Sequence, residues 1–178
     1  MCHHPPMSTT RCEVLRWQFE LVWSLFELHL ERLQPDDFLW EPAELCWTMH
    51  ETGSGGWVPD WAEVEPEPIP VPTMGWLTWH IGWWWSVALD HARGDVPRGR
   101  ADIAWPGPGQ PTIDWLRGLH DAWHEVLNQL DDTDLDTNSA FPWNAEAELT
   151  LAHMIAWVNA ELMKNAAEVG QLRLLRAA

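Results

Sequence analysis

The stretch Leu151–Leu175, LAHMIAWVNAELMKNAAEVGQLRLL, decides the fold. Taken every three or four residues it gives Leu151, Met154, Val158, Glu161, Asn165, Glu168, Leu172 and Leu175, one continuous stripe on an α-helix. Both ends of the stripe are apolar, and its middle holds two carboxylates and an amide. A stripe that faces a core carries such groups only where something satisfies them, because a buried polar group without a partner costs roughly 1–3 kcal/mol. A metal ion or a substrate held inside a helical bundle would satisfy them.

Three more helices read upstream. From about Cys12 to Leu33, Leu15, Phe19, Val22, Phe26, His29 and Leu33 share a stripe that Pro35 ends. Thr73 is a good N-cap and Gly94 a good C-cap for MGWLTWHIGWWWSVALDHA between them. Its stripe is Leu77, His80, Trp84, Val87 and His91, and the segment is apolar almost all round, which places it at the centre of the fold. Thr112 caps a third helix to about Leu130, with Ile113, Leu116, His120, Trp123, Leu127 and Leu130 in line. Thr150 caps the fourth. No strand pattern and no internal repeat stand out. The expected fold is all-α, a four-helix bundle with a long Trp- and Pro-rich connection, residues 34–72, between helices one and two. Trp40, Trp47, Trp57 and Trp61 favour a flap packed on the bundle, and EVEPEPIPVP reads as extended and solvated. Residues 1–11 read as a flexible N-terminus and residues 12–178 as a single domain; Cys2, His3, His4 and the adjoining Cys12 would hold metal only adventitiously.

The totals narrow the function. A net charge of −17 argues against nucleic acid and against anionic membrane surfaces as partners, since both need clustered Lys and Arg. Three cysteines without zinc-ribbon spacing, no signal-peptide pattern and no membrane-length apolar run point to a reducing cytoplasm. There are 16 tryptophans and no tyrosine, and Lys164 is the only lysine among 10 basic residues. The arginine bias fits a GC-rich, actinobacterial source. There is no phosphate-binding Gly loop, nucleophile elbow or CxxC, and Cys46 near His50 is too weak a signal for a catalytic pair.

Each stripe carries polar residues in its interior: His29, His80, His120, and Glu161 with Asn165 and Glu168. If the stripes meet, imidazole and carboxylate from different helices suit a divalent ion such as zinc, nickel or iron. His29 and His120 also fit core or rim histidines with one backbone partner, whereas His80 has few other partners on its helix. Glu161 and Glu168 fit equally a solvated stripe edge, each at ion-pair spacing from Lys164. Trp76, Trp79, Trp83 and Trp84 are placed to line an apolar substrate pocket around His80, with Lys164, His29 and His120 at its margins. His124 and His153 read as surface or capping residues. A metal-free catalyst with Lys164 or Glu161 as base ranks last, because a lysine beside two carboxylates stays charged.

WLTWHIGWWW at 76–85, LRWQFELVWSLFELHLERLQPDDFLWEP at 15–42 and the acidic turn DDTDLDT at 131–137 together resemble the DinB-like superfamily. These are four-helix metalloenzymes that include mycothiol-dependent maleylpyruvate isomerases and bacillithiol S-transferases. The resemblance implies a metal held by one His on helix two and by a Glu or His and further His residues on the last helix. His80 matches the first ligand, and in ELMKNAAEVGQL Glu161 falls on the Glu position. Asn165 stands where the key His belongs, and Glu168 stands at the next His. Asn is a weak ligand, so the site binds a harder ion, binds metal poorly, or relies on Glu168. With metal retained, the resemblance implies a low-molecular-weight thiol cofactor activated as its thiolate to attack a small electrophilic substrate, or a water activated for hydrolysis, in a homodimer. The first expectation is therefore a metal-dependent thiol S-transferase or isomerase. The second is a metal-free member that binds a small apolar ligand or a partner.

Overall fold

The computed structural model describes residues 9–178. Four helices dominate: α1 (Arg11–Leu30), α2 (Met74–Arg93), α3 (Gln110–Gln129) and α4 (Leu151–Arg176). Helix α1 packs along α4 and α3, and α2 packs against α3 and α4, so the bundle of the sequence reading is present. Its core is built from large side chains with almost no exposure, among them Phe19, Phe26, Trp85, Trp123, Met154 and Leu162.

The helix starts follow local chemistry. At α1, the Thr10 hydroxyl accepts from the Glu13 N–H at 3.1 Å while the Glu13 carboxylate accepts from the Thr10 N–H at 2.8 Å. Arg11 reaches Asp136 at 2.7 Å, tying this start to the turn after α3. Residues 10 and 11, expected to be flexible, thus belong to the helix start; residues 1–8, with Cys2, His3 and His4, lie outside the described residues. At α2, Thr73 accepts from the Trp76 N–H at 3.3 Å, and Gly94 closes the helix at φ 73°. Thr112 does not cap α3. The helix starts from Gly109 at φ 87°, and Thr112 lies inside it, buried, with its hydroxyl donating to the Gly107 carbonyl at 2.6 Å. At α4 the Thr150 N–H donates to Nδ1 of His153 at 3.2 Å, the capping role read for that histidine.

The connection between α1 and α2 carries four short strands: β1 (Cys46–Trp47), β2 (Met49–Glu51), β3 (Trp57–Pro59) and β4 (Val71–Pro72). Strands β2 and β3 form an antiparallel pair with His50 opposite Val58, and β1 runs parallel to β4 with Cys46 opposite Val71. Pieces of two or three residues are too short for alternation to register in sequence. The connection is a flap: Phe38 and Met49 are buried beneath it, Trp47 stacks on Trp76 at 5.0 Å, and Trp61 meets Trp79 edge-on at 6.2 Å. Its acidic segment stays in solvent, with Val64 82% exposed. Among the described residues no helix is long and apolar enough to cross a membrane.

Candidate functional site

Under the flap lies a cavity of about 430 Å³ whose walls include Trp47, Trp61 and Trp76 and whose polar lining includes His80, Lys164, Asn165 and Glu168. His80 shares this cavity with Lys164, Asn165 and Glu168 of α4, whereas Glu161 is not part of its lining. Helix α2 delivers His80 one turn after Trp76, and the two rings stack at 5.0 Å. The imidazole Nδ1 is buried without a hydrogen-bond partner. Burial, and secondarily the charge of Lys164, push the His80 pKa down to about 4, so the ring is neutral at pH 7.

Asn165 is 1% exposed, and both ends of its amide are engaged. Its Oδ1 accepts from Trp84 Nε1 at 3.1 Å, and its Nδ2 donates to Glu168 Oε2 at 2.8 Å. Lys164 pairs with Glu161, whose side chain is only 17% exposed. The two carboxylates of the stripe are therefore met by an ammonium and an amide N–H, not left open. This bears on whether His80, Glu161, Asn165 and Glu168 fit the divalent ion that the family resemblance implies. The amide oxygen, the one donor atom Asn165 could offer, is turned to an indole; Glu161 is turned to Lys164. Among the described residues, His80, Glu161 and Glu168 do not bring three ligand atoms within 4.8 Å of one another. The residues present do not fit the ion.

The remaining residues of the expected pocket divide. Trp76 lines the cavity, whereas Trp79 is buried in the core at 1% exposure and lines neither cavity. Trp83 and Trp84 line a second cavity of about 350 Å³ on the other side of His80, with Arg98, Arg100 and Phe141. His29 does not reach His80. Its ring lies over Gly170, where a Cβ would come within 2.5 Å of Nε2, and burial followed by the charges of Arg173 and Arg32 lowers its pKa. His120 does not reach it either: it lies between α1 and α3, stacked on Trp23 at 4.4 Å. Inward-facing residues of different helices share a site only at the same level and on the same seam of the bundle, which stripe membership does not specify.

Sequence reasoning passed over one cluster. Glu20, His120 and His124 bring one ligand atom each within 4.8 Å of one another. The available signal was the four-residue spacing of His120 and His124, which puts both on one helix face. Nothing in the sequence marked Glu20 as their neighbour across α1.

No match to a curated protein or to a solved structure was found. The family model described as the DinB superfamily matches residues 18–169, which take in most of α1 and α4, all of α2 and α3, the flap, and both the His80 cavity and the Asn165 network. The chain belongs to the DinB superfamily.

Proposed function

We propose that this DinB-superfamily protein holds a small, mainly apolar molecule with a hydrogen-bonding end in the cavity beneath the flap, without a transition-metal ion at His80. The observation that carries this reading is the chain Trp84–Asn165–Glu168, which commits the amide standing at the family's metal-ligand position. Indole side chains at Trp47, Trp61 and Trp76 favour an apolar or aromatic ligand body, and His80, Lys164 and Glu168 offer its polar end a neutral imidazole, a cation and a carboxylate. A cavity of about 430 Å³ suits a molecule of metabolite size.

The rival reading is a metal-dependent thiol S-transferase or isomerase acting on a small electrophile. Family membership favours it, as does the neutral state of His80, which leaves the ring competent as a ligand. A fragment series of substituted indoles and naphthalenes, titrated against tryptophan fluorescence with and without EDTA, separates the two. Saturable binding that EDTA leaves unchanged and that Trp61→Leu weakens about tenfold or more supports the metal-free pocket; Trp61 is half-buried, so the variant keeps the core. Binding abolished by EDTA and restored by Zn²⁺ overturns it in favour of the metal-dependent reading.

A further inference from the structure

Helices α1 and α3 carry, on a seam that shares no residue with the His80 cavities, a group of side chains that neither reading above uses. We propose that Glu20, His120 and His124 form a binding site for a divalent transition-metal ion. His120 and His124 are one turn apart on α3 and share a face, and Glu20 approaches from α1. Glu20 Oε1 is 2.6 Å from His124 Nδ1, and Glu20 Oε2 is 3.6 Å from His120 Nε2.

The His120 ring is fixed on both flanks. It stacks on Trp23 at 4.4 Å and lies nearly parallel to Phe19 at 5.3 Å. Asp121 Oδ1 is 2.9 Å from His120 Nδ1, so the Nδ1–H donates to that carboxylate and the Nε2 lone pair is directed away from it. That Nε2 is buried and has no hydrogen-bond partner. A carboxylate behind an imidazole whose other nitrogen is free is the arrangement that orients and strengthens a metal-bound histidine. The plainer alternative, a stacked core histidine beside an ordinary His124–Glu20 contact, explains the stacking and the 2.6 Å distance. It leaves His120 Nε2 without a protein hydrogen-bond partner, because 3.6 Å is beyond hydrogen-bond reach.

Two imidazoles and one carboxylate suit Zn²⁺, Fe²⁺, Co²⁺ or Ni²⁺ better than the all-oxygen cations. Around a tetrahedral ion with bonds of about 2.0–2.1 Å, neighbouring ligand atoms stand about 3.3 Å apart. The His120–Glu20 distance is already close to that. The His124–Glu20 pair must open by less than about 1 Å, and side chains 42% and 40% exposed can do so. That exposure also leaves the remaining coordination positions to water. An ion there would clamp α1 to α3.

The test is titration of metal-free, full-length protein with Co²⁺, read by its visible ligand-field absorption, followed by displacement with Zn²⁺. The expected result is one equivalent bound. Glu20→Gln and His124→Ala should abolish the band, and Asp121→Asn should weaken binding about 10–100-fold. The band should survive His80→Ala and the combined Cys2→Ser, His3→Ala and His4→Ala changes. Zn²⁺ should raise the thermal midpoint of the wild type and leave that of Glu20→Gln unmoved, a readout independent of the band. No band in the wild type, or a band that Glu20→Gln and His124→Ala both retain, overturns the site.

Discussion

His80 sits in a helix that offers it almost nothing polar, and its charge state follows from that. Burial, with Lys164 adding to it, holds the folded-state pKa at about 4, against an ordinary value near 6.5. Between those two values the unfolded chain takes up a proton that the folded chain refuses, so stability contributed by neutral His80 is fully present above about pH 6.5 and is lost as pH falls toward 4. The whole step is on the order of 3 kcal/mol. Burial lowers the pKa values of His29 and His91 as well, and they add to the loss with the same sign. Urea midpoints measured at pH 7 and pH 5 should therefore fall more in the wild type than in His80→Phe, which keeps a flat apolar ring and has no proton to take up. Equal falls in both proteins would contradict the assignment. That His80 is buried beside the last helix was legible in the sequence, because an almost wholly apolar helix must be central. That Asn165 was engaged was not, because a sequence does not show which way an amide is turned or that Trp84 lies within reach of it.

At the scale of elements, α2 owes its position to contact on every side: the flap covers one face, and α3 and α4 cover others. At Gly82 the Trp115 side chain of α3 lies against the α2 backbone. A Cβ built there would lie 1.7 Å from the end of the Trp115 ring. Gly82→Ala gains about 1 kcal/mol of helix propensity, but overpacking of this kind costs about 1–3 kcal/mol or more. The expected outcome is a net loss of stability, measurable as a lower urea midpoint, that Trp115→Leu in the same chain reverses in part. A midpoint raised by Gly82→Ala alone would show that Trp115 swings aside freely. The limits of α2 were legible from Thr73 and Gly94, and the existence of α3 from its stripe. The start of α3 was not, because Thr112 has the chemistry of a cap but is used here inside the helix, where its hydroxyl reaches the Gly107 carbonyl. Asn165 and Glu168 from the polar middle of α4 line the same cavity as His80. Glu161 is paired with Lys164, and Glu168 accepts a hydrogen bond from the Asn165 amide, so each acid has a partner within α4.

At the scale of the molecule, the four stripes do not meet at one point. His80 with the α4 groups occupies the flap side; His120, with Glu20 and His124, occupies the α1–α3 seam; His29 lies over Gly170. Periodicity gives each helix its inner face, but the vertical stagger of the helices, set by long connections, decides which inward residues become neighbours. This DinB-superfamily bundle has an aromatic cavity, and an amide stands at the position where the family resemblance expects an imidazole ligand. In the function proposed above, ligand binding in the cavity beside His80 does not depend on a metal ion. Titration of the Glu20→Gln chain with Co²⁺ tests it most directly, since that change removes the competing site on the α1–α3 seam. No stoichiometric ligand-field band is expected in that chain. A band of one equivalent that His80→Ala then abolishes would contradict it.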